Sequence, residues 1–208
     1  MKTVVINADP KRRGVTGQLM KKAAEGAESA GAEVKYVDLY KMDLSGCRIC
    51  LICKNDDETC KCYWKDELSP LLEEIFNSDA LLIGAPIFFT NPSSHYMALL
   101  ERLIFSIVSF KTGNIFKGKV NIGLFYTMNA PIEFYEQSMK DSLSSTEFLF
   151  SFLNGEIVTY PVCDTIQVSD YSKFNMAGFS QELKEKQWIL QFPKDLEKAF
   201  EIGAELSK

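Results

Sequence analysis

The chain has 208 residues, with 23 basic and 28 acidic side chains, a formal net charge of -5, 46% hydrophobic and 25% charged residues. A chain of this length buries roughly 70% of its unfolded surface without disulfides or a metal. This composition excludes disorder, collagen-like repeats and a small disulfide scaffold. No apolar run reaches membrane-span length, the N-terminus lacks a signal-peptide layout, and an acidic chain has no general attraction for nucleic acid. The expectation is a cytoplasmic protein with neither membrane nor nucleic acid as partner.

Short apolar runs alternate with helical stretches. Residues 2–8 carry Val4, Val5 and Ile6 without alternation, as a parallel strand buried on both faces does. Residues 16–30 space Leu19, Ala23 and Ala27 at helical intervals, and Gly31 ends the run. Residues 32–39 read as a second strand, and 40–64 as an irregular cysteine-bearing insertion (about 43–64 within one domain, 1–208). The remaining pattern predicts a helix over 66–78, a strand over 80–85 ending at Pro86, and a helix over 93–109. It then predicts a strand over 119–126, a largely helical stretch over 132–153 stopped by Gly155, and a strand over 156–162, extending toward Val168. The last element is a helix over 180–206 broken at Pro193. Five strands alternating with helices predict an α/β, flavodoxin-like doubly wound parallel sheet in the order 2-1-3-4-5. Ligands bind such sheets beyond the carboxyl ends of the strands.

The loops at those ends are therefore the candidate site. After strand one come Asp9, Lys11, Arg12, Arg13, Val15, Thr16 and Gly17, a basic turn feeding a helix N-terminus, which suits a phosphate; a solvated basic turn with a capping threonine is the alternative. After strand three come Pro86, Ile87, Phe88, Phe89, Thr90 and Asn91, apolar enough to line a slot for a flat ligand or to cover core. After strand four, Thr127 and Met128 complete a wall.

These segments resemble the NAD(P)H-dependent FMN reductase and iron-sulfur flavoprotein family over roughly residues 2–127. The family opening, Gly-Ser-Pro-Arg and then Asn-Thr, corresponds to Ala8-Asp9-Pro10-Lys11 and Val15-Thr16. Its second signature, Pro-Val-Tyr-x-Gly-Asn through Lys-Ala-x-x-Asp-Arg, corresponds to Pro86 through Asn91 and Met97 through Arg102. Its cysteine segment corresponds to Cys47, Cys50, Cys53 and then Cys62-Tyr63-Trp64-Lys65-Asp66. The resemblance implies FMN with its phosphate on residues 9–16 and its ring against 86–91 and 127–128. It further implies NAD(P)H as co-substrate, an electron acceptor of unspecified kind, and a homodimer or homotetramer. No side chain is required as acid or base, because the chemistry belongs to the flavin. Three positions depart from the pattern: Asp9 replaces the phosphate-binding serine, Val15 an asparagine and Ala8 a glycine.

Five of the six cysteines fall between Cys47 and Cys62. Cys47, Cys50 and Cys53 have the two-residue gaps of cluster-binding ferredoxin segments. A [4Fe-4S] cluster needs a fourth thiolate. Cys62, in register with Lys65-Asp66, is the expected one, with Cys60 as alternate. Structural zinc or cluster-free thiols are the competing readings, and an electron carrier without nicotinamide activity is the competing function. Cys163 reads as an inert buried thiol, and His95, the only histidine, as a packing residue.

Overall fold

The structure, a computed structural model, describes every residue except Arg12, Asp56, Asp57, Ala177 and Phe179. The predicted cation at position 12 thus lies outside the described residues. In chain order the strands are β1 (Lys2–Asn7), β2 (Glu33–Asp38), β3 (Ala80–Phe88), β4 (Asn91–Pro92), β5 (Val108–Ser109), β6 (Gly113–Asn114), β7 (Val120–Thr127) and β8 (Asn154–Val162). The helices are α1 (Val15–Ser29), α2 (Leu68–Phe76), α3 (Ser94–Phe105), α4 (Ile132–Phe134), α5 (Lys140–Leu149), α6 (Gln181–Leu190) and α7 (Phe192–Leu206).

The five long strands run parallel in the order β2-β1-β3-β7-β8. Counting only these strands, this is the expected 2-1-3-4-5. Both faces are covered, which explains the absence of alternation in the apolar runs. Val4, Ile6, Leu81 and Ile83 face the core beneath α2, α3 and α5. Val5, Leu82 and Phe125 face the core beneath α1 and α7.

Several boundaries differ from expectation, each for a local reason. β3 does not stop at Pro86: it continues to Phe88, with Pro86 opposite Thr127 of β7, because a proline at the end of a ladder forfeits only one donor. α3 ends at Phe105 and not at Ser109, since Val108–Ser109 turns into a small antiparallel hairpin with Gly113–Asn114. The helical stretch after β7 contains a π-helical turn at Tyr135–Met139 and a 3-10 turn at Phe150–Leu153. Asn154, at φ +60°, ends it, and Gly155 does not. Gly155 belongs to β8, where a Cβ would lie 1.9 Å from the Val120 carbonyl oxygen. β8 stops at Val162, and Asp164, at φ +55°, turns the chain away from the sheet. Pro193 sits in the first turn of α7, where its missing N–H costs nothing.

α1 and α7 cross unusually closely. A Cβ at Gly26 would lie 2.0 Å from the Phe200 carbonyl oxygen, and one at Gly203 2.0 Å from that of Ala23. Alanine gains about 1 kcal/mol of helix propensity over glycine, but here it must push two backbones apart. Overpacking costs about 1–3 kcal/mol, so Gly203→Ala is expected to lose up to about 2 kcal/mol net, measured by urea unfolding. A stability gain would show that the helices separate freely.

Candidate functional site

The carboxyl ends of β1, β3 and β7 open onto two adjoining clefts. One, of about 260 Å3, is walled by Asp9, Gly14, Pro86, Ile87, Phe88, Met128 and Asn129, among others. The other, of about 700 Å3, continues past Arg13, Gln18 and Trp188. Both share Lys11, Gly14, Val15, Ile166, Gln167 and Val168. A separate hollow of about 560 Å3 lies at the opposite edge, around Lys2, Glu33 and Lys35, away from the loops that give this fold its binding site.

Asp9 does not face solvent. Its Oδ1 accepts the Lys11 amide N–H at 2.7 Å and its Oδ2 the Thr16 hydroxyl at 2.9 Å. Burial raises its carboxyl above the ordinary value, opposed by the Lys11 N–H, the Thr16 hydroxyl and the Lys11 charge. Thr16 in turn shares a hydrogen bond of 2.8 Å with Thr127, linking the loops after β1 and β7. With Thr16 so occupied, α1 starts at Gly14 without a side-chain cap and without an acidic residue in its first turn. Such an end carries orphan N–H groups and a partial positive charge. Gly17 is buried within the helix.

The segment 86–91 forms a hairpin. Ile87 pairs with Pro92 and Phe88 with Asn91, leaving Phe89 and Thr90 as a two-residue turn. Both turn residues have positive φ, +49° and +70°, the pattern of a type I′ turn that favours asparagine and glycine. Ile87 is buried and Phe88 half exposed, while Phe89 stands 97% exposed. Pro86, Ile87 and Phe88 therefore reach the cleft, whereas Phe89, Thr90 and Asn91 form the projecting tip, with the Asn91 amide donating to the Phe89 carbonyl.

Residues 163–171 make a wall, although the last strand was expected to extend toward Val168. The Lys11 ammonium donates to the Gln167 carbonyl at 2.9 Å. The Asn129 amide donates to the Thr165 carbonyl and the Tyr171 hydroxyl. Lys184 bonds Asp164 at 2.6 Å and also the Asn129 carbonyl. Asn129 Oδ1 is buried with no hydrogen-bond partner among the described residues, although Asn129 lines the cleft. Cys163 follows β8, and burial pushes its thiol up to about 12. His95 stacks on Tyr40 with ring centroids 3.8 Å apart, a packing role, and burial lowers its pKa.

Cys47, Cys50, Cys53 and Cys62 line one small cavity of about 20 Å3 with Arg102, Trp64 and Phe105, and Cys60 is not on it. Cys60 and Cys62 both pack against the sheet core. The segment is docked on α3 at three points. The Cys47 N–H donates to Glu101 at 3.2 Å, Arg102 donates to the Ser45 carbonyl, and Lys54 caps the carbonyls of Phe105 and Val108. Ile49 and Leu51 hold φ of +51° and +60°, strain that persists only when the surroundings over-determine it. Among the described residues no three Cys, His, Asp or Glu side chains converge as the ligands of a single metal ion.

A family model described as NADPH-dependent FMN reductase matches residues 1–147. The chain belongs to that family. It is 26% identical over 123 residues to an iron-sulfur flavoprotein of Methanocaldococcus jannaschii, covering 59% of this chain and 62% of the relative. It is 30% identical over 102 residues to an iron-sulfur flavoprotein of Archaeoglobus fulgidus, covering 49% and 48%. The matches thus span about half to three fifths of these relatives. In fold it is similar to an NAD(P)H:quinone oxidoreductase from Methanothermobacter marburgensis (TM-score 0.72, 14% identity, 100% of this chain and 98% of that one). It is likewise similar to an azoreductase from Bacillus anthracis (TM-score 0.69, 14% identity, 99% of each chain). No helix among the described residues is long and apolar enough to cross a membrane.

In the family signature the residue at position 90 is glycine, which adopts positive φ freely; here it is threonine. Thr90→Gly relieves about 1–2 kcal/mol of left-handed strain against about 0.5–1 kcal/mol of extra chain entropy. The variant should unfold at a higher urea concentration, and a lower one would contradict the turn geometry.

Proposed function

We propose that the protein is an FMN-dependent oxidoreductase that oxidises NAD(P)H and passes the electrons to an acceptor. The observation that carries this reading is the cleft itself. In a chain of the FMN reductase family it joins an uncapped helix N-terminus to an apolar wall and an unpartnered buried acceptor. The N-terminus of α1, with Lys11 and Arg13, suits the phosphate. Ile87, Phe88 and Met128 suit the ring, and Asn129 Oδ1 suits a ring N–H. FMN, when bound, supplies hydride acceptance and electron release. The protein's own residues orient it and exclude water: Thr16 and Thr127 fix the floor, and Lys11 straps the phosphate loop to residues 165–168.

The same reading assigns Cys47, Cys50, Cys53 and Cys62 to a [4Fe-4S] cluster. In a cubane each thiolate binds a different iron, so the sulfurs stand farther apart than four ligands of one zinc ion. Four cysteines around one cavity, three of them at the two-residue gaps of cluster-binding segments, support the cluster. The positive-φ residues between them suit a backbone nest of N–H groups facing the cluster. Homo-oligomerisation and a cytoplasmic location accompany this proposal as expectations.

Anaerobic mixing of FMN-loaded protein with NADPH or NADH should bleach the flavin and, with a quinone present, give steady turnover. FMN binding without bleaching by either nucleotide would instead indicate an electron carrier.

Asp9 sets the cost of phosphate binding. Asp9→Asn keeps an acceptor for the Lys11 N–H, and the Thr16 hydroxyl can rotate to accept from the new amide. Removing a negative charge from the cleft wall that would receive the phosphate should tighten FMN at least about tenfold at neutral pH and leave riboflavin unchanged. A carboxyl raised in the folded state costs stability that develops as the pH climbs through its raised value. The variant should therefore melt higher than wild type at neutral pH, with the gap closing under acid. Equal effects on both flavins would sever Asp9 from the phosphate.

A further inference from the structure

The cysteine cavity has one wall that is not thiol. Arg102, only 2% exposed, lines it from α3. Its guanidinium forks onto both Asp66 oxygens at 2.5 and 2.9 Å, and donates to Ser69 Oγ at 2.6 Å and the Ser45 carbonyl at 3.1 Å. These bonds fix its plane. Nε remains buried with no hydrogen-bond partner among the described residues, while the Cys62 sulfur lies beside the guanidinium and interacts with it. A buried donor left unmatched is rare, and it points to an acceptor in the adjoining cavity. The cavity offers one: thiolates, or the sulfide of a cluster they hold.

We propose that Arg102 is a positioning residue for the cysteine centre: held by Asp66 and Ser69, it presents a buried N–H and a positive charge to Cys62 and the adjoining cluster sulfur. It thereby selects Cys62 over Cys60 as fourth ligand and holds the reduction potential up. The inference rests on the cluster reading of the cysteines. Its physical content is that hydrogen bonds and cationic charge at cluster sulfur favour the more negative, reduced state. Cys60 is off that cavity, and Lys117, not Arg102, is the charge that acts on its thiol.

The test is anaerobic reconstitution of the full chain with iron and sulfide, followed by iron counting and an EPR-monitored redox titration. Wild type and Cys60→Ser should retain iron, and Cys62→Ser should lose it. Arg102→Gln would strand Asp66, so it is paired with Asp66→Asn to keep a neutral hydrogen-bonded pair. This double variant should load iron but shift the one-electron equilibrium at least tenfold toward oxidised, a fall of 59 mV or more. Arg102→Lys, which keeps the charge but not the fork, should move the potential the same way and covers the case in which the double variant does not fold. Iron retained by Cys62→Ser, or potentials and EPR spectra identical to wild type in both Arg102 variants, would overturn the proposal. Failure of wild type itself to take up iron would overturn the cluster reading on which it rests.

Discussion

The Arg102–Asp66 pair ties together parts of the chain that share no strand. Arg102 comes from α3, Asp66 and Ser69 from the start of α2, and Ser45 from the head of the cysteine insertion. Asp66 also accepts the amide N–H groups of Leu68 and Ser69, so one carboxylate caps α2 and neutralises the guanidinium. Its carboxyl is held below the ordinary value although burial acts the other way, because the Arg102 hydrogen bonds and charge more than offset desolvation. Replacing both partners of a buried pair with apolar groups is often tolerated, whereas removing one strands a charge at about 3–5 kcal/mol. The value of this pair lies in placement: it fixes an irregular, polar insertion against a helix whose own position is set by the sheet.

α3 connects the two candidate centres. Its first turn follows the hairpin at 86–92, and its last turns carry Glu101, Arg102 and Phe105 beside the cysteines. Ser94 and Arg102 are about 12 Å apart along the axis at 1.5 Å per residue. The cleft and the cysteine cavity are thus held at a set separation by one rigid element. The flavin side depends on a similar economy: the Asp9–Thr16–Thr127 chain of hydrogen bonds satisfies three buried polar groups and leaves the α1 N-terminus open to an outside anion.

Features governed by periodicity were readable from the sequence. Leu19, Ala23 and Ala27 announced α1, and the runs at Val4–Ile6 and Leu81–Ile83 announced buried parallel strands whose order the connections then constrain. Features governed by single backbone torsions were not. Asn154 ends a helix where Gly155 looked the better stop, and Asp164 ends β8 where Ile166 and Val168 suggested continuation. The wall at 163–171 has no periodic signal, because main-chain bonds to Asn129, Lys11 and Tyr171 shape it. Asp9 read as a carboxylate at the phosphate position, repulsive unless turned away or neutralised. Only its partners show it turned onto Lys11 and Thr16. The cysteine spacing identified the group of thiols, and the register with Lys65-Asp66 pointed to Cys62 over Cys60; Cys62 is the one that lines the cavity beside Arg102.

The proposed flavin cleft and the separate cysteine centre are both held on α3. The most direct measurement is the absorption spectrum of anaerobically prepared protein, with FMN, iron and acid-labile sulfide quantified on the same sample. Flavin bands over a broad thiolate-to-iron background are expected, with iron and FMN near the ratio of about four to one that a [4Fe-4S] centre requires. A colourless protein carrying zinc and no flavin would contradict this assignment.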